Sequence, residues 1–385
     1  VFQWGASSFF GWGIIGLNLM LEWVRRRQGP ALCASTFYRD NIVVNPLEAG
    51  EIEQSIVKSQ QLAASLERYA GTDVNASSPV LHALGVDLLR ESSAVHKTCL
   101  WGPQTIGVPV FIRLSDPKAA RERAKRYSLL LTGSTWNQEV LEEHGIGPVS
   151  LMLQGIDPTH FHPGPRAGVF GDRFVVFSGG KLEYRKSQDL VVQAFRIFAE
   201  RHPEALLVTA WDSPFAQFGL TLSRNDAIVP PTLTTNNQVD IAGWTEANGI
   251  PRRQVFHLGK VPNAEMPRIL REMDVAIFPN RCEPATNLVA MEVMACGVPV
   301  ILSRNTGHRD LIEDDNCYVL ERQSVIPGAE FEHWGESDVD EIVAALETAF
   351  NDRAGRASRA ACGAQKVAGL SWARMTAQLA DAIAA

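Results

Sequence analysis

A strand-and-helix alternation that breaks once and then starts again leaves this 385-residue sequence few possible folds. In the first half, strands are expected over 1–4, 31–34, 79–83, 108–112, 129–132 and 150–153, and helices over 13–27, 51–69, 118–126 and 136–143. Such alternation implies a mainly parallel sheet with helices on both faces. Gly155-Ile156-Asp157-Pro158-Thr159-His160-Phe161-His162-Pro163-Gly164-Pro165 interrupts it, and its proline and glycine content marks a linker. His160 and His162 sit two apart with no third metal ligand nearby, so they read as solvated linker residues. The rhythm resumes with strands expected over 173–178, 205–210, 255–258 and 275–278 and helices over 188–199, 264–272, 339–350 and 371–385; 211–249 is rich in loops. A chain of this length is too long for one ordinary core. The expected division is a doubly wound α/β domain over 1–163 and a second over 164–370.

The second half contains the most informative stretch, Arg281 to Val300, which reads as loop, short helix and strand. Thr286 or Asn287 is placed to cap the helix, Gly297 to end it, and Pro299 to prevent its continuation. From Leu288 to Cys296 every residue except Glu292 is apolar, so the helix has no polar face and must be buried. Glu292 lies within about 60° of Leu288 and Val289 on the helical wheel and cannot reach water without exposing them. A carboxylate in that position needs partners. It is either a structural residue satisfying neighbouring groups or an acceptor for ligand hydroxyls, with the helix N-terminus facing an anion.

A second stretch has matching chemistry. Gly179-Gly180-Lys181-Leu182-Glu183-Tyr184-Arg185-Lys186-Ser187 follows a strand and opens a helix. The glycines let backbone approach a ligand, and Lys181 and Lys186 bring two positive charges toward a diphosphate. The bland alternative is a solvated, charged helix start.

Together these stretches resemble glycosyltransferase family 4, retaining enzymes of the GT-B fold. The resemblance is strong over 175–300 and thin in the first half. Glu283 and Glu292 match the family's paired glutamates, the first near the donor sugar and the second on the nucleotide ribose. Eight residues separate them here, one more than the family pattern has. The backbone at Thr286, Asn287, Leu288 and Val289 would meet the sugar and diphosphate. Lys186 keeps the family's lysine, while Lys181 stands where the family usually has arginine; lysine binds phosphate without the bidentate fork. The resemblance implies a GT-B architecture, two Rossmann-like domains facing across a cleft, with the terminal helix at about 371–385 returning to the N-terminal domain.

Gly11-Trp12-Gly13-Ile14-Ile15-Gly16 matches G-x-G-x-x-G. A dinucleotide fingerprint would need the first glycine directly after a strand, and residues 6–10 intervene. The motif is therefore either a structural turn or, as the resemblance implies, a glycine loop that brings Gly13 to the donor or acceptor. His82 lies near the end of an apolar strand. It is either a satisfied core histidine or the family's cleft histidine near the donor sugar. Asp338-Val339-Asp340 is the only Asp-x-Asp match in the sequence; at a helix start it reads as a cap, so no metal site is expected.

A net charge of −7 argues against nucleic acid as a partner. No apolar run is long enough to span a bilayer, and the six cysteines lack metal-type spacing, so they read as reduced and buried in a cytoplasmic protein. Basic stretches at 25–27 and 118–126 leave room for peripheral contact with the inner face of a membrane.

The resemblance implies transfer of a sugar, as a hexosyltransferase does, from a nucleotide-sugar to a glycan, lipid-linked or other hydroxyl acceptor. It implies retention of configuration and no metal or other cofactor, with Lys186, Lys181, Glu283 and His82 at the chemistry. Two other readings stay open: a nucleotide-sugar epimerase of the same fold, and a non-catalytic subunit that binds nucleotide-sugar.

Overall fold

The computed structural model describes residues 1–35, 39–90, 97–213 and 215–384. The chain forms two compact units: Val1–Asp157 with Pro262–Ala264 and Leu370–Ala385, and Pro158–Val261 with Glu265–Gly369. The division falls at Asp157, inside the proline- and glycine-rich segment. Among the described residues no helix is long and apolar enough to cross a membrane.

The first unit contains β1 (Phe2–Gln3), β2 (Asp73–Asn75), β3 (Val80–Leu84), β4 (Cys99–Trp101), β5 (Thr105–Pro109), β6 (Leu129–Thr132) and β7 (Val149–Leu151). Its main sheet has the spatial order β1-β3-β5-β6-β7 and is parallel throughout; β2 and β4 pair separately. The interior strand β3 is buried along its whole length, as expected when helices cover both faces. The strand expected over 31–34 reduces to a single parallel bridge between Phe2 and Cys33 at the sheet edge.

Helices α1 (Gly11–Arg25), α2 (Pro46–Leu66), α3 (Pro117–Ala124) and α4 (Thr135–Glu143) accompany this sheet. Helix α2 begins before the expected start at 51 because Asn45 and Glu48 form a capping box and Pro46 occupies the first turn. Asn45 Oδ1 accepts from the Leu47 and Glu48 N–H groups at 3.0 Å each, and the Glu48 carboxylate accepts from the Asn45 N–H. That signal is present in the sequence but precedes the periodic apolar pattern.

The second unit is built on β8 (Phe174–Gly179), β9 (Ala205–Ala210), β10 (Val255–His257), β11 (Val275–Phe278), β12 (Val300–Ser303) and β13 (Tyr318–Leu320). All six are parallel, in the order β10-β9-β8-β11-β12-β13. In chain order this is third-second-first-fourth-fifth-sixth, the doubly wound arrangement whose direction of winding reverses between β8 and β11. A hairpin, β14 (Gln323–Val325) with β15 (Gly335–Ser337), follows the sheet.

Helices α5 (Gln188–Arg201), α6 (Ile241–Ala247), α7 (Met266–Leu270), α8 (Leu288–Ala295), α9 (Val339–Asn351) and α10 (Arg353–Ala368) belong to this unit. The core beneath α5 and α9 joins Val176, Phe195, Phe198, Leu207, Ile277 and Leu346, all buried. The helix expected over 264–272 is shorter because Glu272 is used elsewhere. Its carboxylate accepts from the Ala167, Gly168 and Val169 N–H groups at 2.5, 2.9 and 3.2 Å, tying the end of the linker down. Helix α10 was not expected: its buried positions include Ala360 and Gly363, small residues that let it pack on α8 but give little hydrophobic periodicity. Helix α11 (Trp372–Ala384) belongs to the first unit, where it packs on α1.

Candidate active site

In an open parallel sheet, ligands bind beyond the carboxyl ends of the strands where the winding reverses. In the second unit that point is flanked by Gly179 at the end of β8 and by the loop after β11. Both stretches singled out in the sequence emerge there. The chain leaves β8 through Gly180, whose φ of +123° suits glycine, runs through a short turn over Tyr184–Lys186, and enters α5 after Ser187 at φ 60°. The stem of Lys186 lies beside Gly180: a Cβ built on that glycine would sit 3.5 Å from Lys186 Cε and 3.7 Å from its Nζ.

Lys186 Nζ donates to Glu283 Oε1 at 2.5 Å, and Arg185 Nη1 to Glu283 Oε2 at 3.2 Å. Asn280 Nδ2 also donates to Oε1. The Glu283 backbone is held as firmly: its N–H donates to Thr306 Oγ1 at 2.7 Å, and its carbonyl accepts from the Gly307 N–H at 2.9 Å. Gly307 permits this approach, because a Cβ there would lie 2.1 Å from the Ala285 carbonyl oxygen. Glu283 is 3% exposed. Burial pushes its carboxyl up, but the Lys186 and Arg185 charges outweigh burial and bring it down to about 2. Glu283 is therefore an anion and a hydrogen-bond acceptor at neutral pH. Burial pulls the Lys186 ammonium below its ordinary value, opposed by the Glu283 carboxylate.

A second ionic group braces the same loops. Arg281 is fully buried and donates to Asp189 through Nη1 at 2.8 Å and Nη2 at 2.6 Å, and to Glu336 through Nε at 2.6 Å. Its guanidinium also lies 3.8 Å over the Tyr184 ring. A bidentate arginine–carboxylate pair fixes both distance and direction, so the loop after β11 is pinned to the first turn of α5. Sequence reasoning did not single out Arg281 or Asp189. The available signal was an arginine shortly after an apolar strand, beyond Pro279 and Asn280, and an aspartate in the first turn of an amphipathic helix.

Helix α8 is buried all round except at Val289, and Glu292 on it is 4% exposed. Its first turn packs on the β8 end: a Cβ on Gly179 would be 3.0 Å from Val289 Cγ1. Thr286 Oγ1 donates to Met291 Sδ at 2.9 Å. Asn287 is the N-cap residue but has φ 60° and makes no side-chain cap bond. Its amide turns instead to His308. Ser303 Oγ–H donates to the Asn280 carbonyl at 2.7 Å, so it accepts from His308 Nδ1–H at 3.0 Å. His308 Nε2 is then the acceptor for Asn287 Nδ2–H at 2.9 Å. Burial lowers the His308 ring to about 4, consistent with this neutral tautomer. Leu288 continues the buried face of α8, and the first-turn N–H groups of any helix lack intrahelical partners.

Lys181 is half-buried, and its carbonyl accepts from Gln188 Nε2 at 2.8 Å. Two predicted residues lie in the first unit. Gly13 sits in the first turn of α1, where its carbonyl accepts from the Ser7 N–H at 3.0 Å. His82, in β3, is 1% exposed, with Nδ1 3.1 Å from the Tyr127 hydroxyl and Nε2 2.8 Å from the Leu100 carbonyl. Both nitrogens are occupied and burial lowers the ring to about 4, the pattern of a satisfied core histidine. Asp338 caps α9, accepting from the Glu341 N–H at 2.9 Å. Five of the cysteines are buried and all six are free thiols.

Residues 173–351, which apart from 262–264 lie in the second unit, match the family model described as Glycosyl transferases group 1. Among curated proteins, the chain is 28% identical to the GDP-mannose-dependent alpha-(1-6)-phosphatidylinositol monomannoside mannosyltransferase of Mycolicibacterium smegmatis, over 57% of this chain and 50% of that protein. It is 25% identical to mannosylfructose-phosphate synthase of Agrobacterium fabrum, over 44% of this chain and 36% of that protein. The chain thus spans half or less of the length of these two relatives. Among solved structures, sucrose-phosphate synthase of Thermosynechococcus elongatus superposes with a TM-score of 0.66 at 14% identity, over 99% of this chain and 96% of that one. Anabaena HepE in complex with UDP-glucose also superposes at 0.66, with 15% identity over 100% of this chain and 98% of that one. At these identities the likeness establishes the fold: this chain has the GT-B fold of two Rossmann-like domains.

Proposed function

We propose that this chain is a retaining, metal-independent glycosyltransferase that moves a hexose from a nucleoside-diphosphate sugar to a hydroxyl acceptor. The observation that carries the reading is the Lys186–Glu283 pair. It lies where the winding of a doubly wound sheet reverses, beside the Gly180 turn. Such a place supplies a cation for a leaving diphosphate and an acceptor for a sugar hydroxyl within one small volume.

The chemistry follows from these groups. Glycosyl transfer passes through an oxocarbenium-like state, so negative charge grows on the leaving diphosphate. Lys186, Lys181 and the amides at the start of α8 stabilise that charge. Glu283, an anion, accepts hydrogen bonds from the sugar and does not act as a general acid. Glu292 receives the ribose hydroxyls. The anomeric bond to the diphosphate breaks, the bond to the acceptor oxygen forms on the same face, and the acceptor's proton passes to the departing phosphate oxygen. No metal is needed because the lysines and helix amides supply the positive charge, and Asp338 is committed to its helix.

The relatives' names direct the donor screen to GDP-mannose and UDP-glucose. The test is release of nucleoside diphosphate from each donor, with and without sugar and inositol acceptors, in the presence of EDTA, followed by the anomeric configuration of the product by NMR. Acceptor-dependent release with retained configuration supports the reading. Donor isomerisation without acceptor, or binding without turnover, refutes it. Lys181→Arg should keep most of the activity, since it restores the fork usual in family 4.

A further inference from the structure

The reading above uses Lys186 and leaves its neighbour Arg185 unassigned, yet Arg185 makes the larger set of contacts. Its carbonyl accepts from the Arg281 N–H at 2.9 Å and the Cys282 N–H at 3.3 Å. Its guanidinium donates from Nη1 to the Cys282 carbonyl at 2.9 Å and to Glu283 Oε2 at 3.2 Å, and from Nη2 to Glu183 Oε1 at 2.5 Å. The side chain is 12% exposed. One residue thus joins the loop after β8 to the loop after β11 through both backbone and side chain.

The two oxygens of Glu283 are divided between two cations, Lys186 on Oε1 and Arg185 on Oε2. In the reading proposed above, Lys186 turns its charge to the diphosphate. Glu283 would then be a buried carboxylate short of one counter-ion, and a carboxylate so placed protonates or turns away. We infer that Arg185 is the positioning residue that keeps Glu283 oriented while Lys186 serves the leaving group. Arg185 is suited to this because one arm of its fork, Nη1, reaches Glu283 Oε2 and the Cys282 carbonyl while the other, Nη2, is anchored on Glu183, whereas a lysine would offer a point charge. The other charged or titratable groups near Glu283 are His308, neutral in its relay, Cys282, whose thiol burial raises and keeps protonated, and Glu183, which Arg185 itself neutralises. Without Arg185, protonation of Glu283 would move up into the assayable pH range.

This inference rests on the nucleotide-sugar reading, and the experiment separates the two. Parent, Arg185→Met and Arg185→Lys are compared in donor KM, kcat between pH 4.5 and 8.5, and calorimetric affinity for the nucleoside diphosphate of the donor the parent uses. That diphosphate lacks the sugar that Glu283 addresses, so its affinity should change less than threefold. Arg185→Met should lose about 10²-fold in kcat, the scale of a misplaced reacting group, and should show a new acid limb absent from the parent. Arg185→Lys should keep the parent's pH profile and recover part of kcat. A Met variant with the parent's kcat and pH profile overturns the inference and leaves the functional reading standing. So does equal loss of diphosphate affinity and turnover with an unchanged pH profile, which marks a structural clamp only. If Arg185→Met does not fold, Arg185→Lys decides: a kcat equal to the parent's shows that the fork is not required. A parent that binds no nucleoside diphosphate and uses no donor overturns both.

Discussion

Replacing Lys186 by alanine perturbs stability and chemistry together, and the structure allows the two to be separated. Lys186 and Glu283 are 10% and 4% exposed at their side chains and meet at 2.5 Å. Two unit charges about 3 Å apart attract by roughly 5 kcal/mol at an effective dielectric near 20. Part of this offsets the cost of burying the ammonium, and Glu283 keeps Arg185 at 3.2 Å after the substitution. The net loss should therefore fall below the 3–5 kcal/mol typical of a broken buried pair, at about 2–3 kcal/mol. Denaturant unfolding of Lys186→Ala, Glu283→Gln and the double variant measures the coupling directly, and it should be about 2 kcal/mol. In turnover, Lys186→Ala should lose about 10²–10³ in kcat with a smaller change in donor KM, as when a donor to transition-state charge is removed. Stabilities that add within about 0.5 kcal/mol would show that the pair is not coupled. A kcat like the parent's would show that Lys186 does not face the leaving group.

Three further outcomes are expected. Glu292→Ala should weaken nucleoside diphosphate binding by about 1.5–3 kcal/mol for each charge-assisted hydrogen bond lost; calorimetry checks this, and unfolding of the variant instead would mark Glu292 as structural. Arg281→Met should destabilise the fold by about 3–5 kcal/mol because it strands the fully buried Asp189; Arg281→Met with Asp189→Asn should recover much of that loss in urea melts. His82 and His308 are each lowered by burial from 6.5 to about 4, so the unfolded chain binds their protons more tightly. The stability they contribute is complete above pH 6.5 and falls as pH drops toward 4, by up to about 3 kcal/mol for each ring. Urea midpoints at pH 7, 5.5 and 4.5 should fall accordingly, and less steeply in His82→Gln; a midpoint flat over that interval contradicts the burial argument. Glu283 has the opposite origin but the same direction, its contribution being present above about 4.5 and lost toward about 2.

The sequence alone dictates the layered α/β architecture, because strand-and-helix alternation with one Pro/Gly-rich break allows few other packings. It also determined that α8 is buried, since eight of the nine residues from Leu288 to Cys296 are apolar. Lys186, Glu283 and Gly180 were legible as residue types after a strand and before a helix. Their meeting was not, because Lys186 and Glu283 lie 97 residues apart and are brought together only by the order in which β8 and β11 sit in the sheet. The same holds for Arg281 with Asp189 and for Arg185 with Glu283, pairs remote in sequence that carry no local periodicity. Helix α10 escaped notice because its contact face is made of small residues, whose burial depends on how closely α8 approaches. The side chain of Asn287 was read as a cap from local propensity. The tertiary structure decided otherwise, since a backbone at φ 60° and a neutral His308 within 2.9 Å offer the amide a different partner. Local pattern is written along the chain, whereas charge pairing depends on distances through space that only the completed sheet defines.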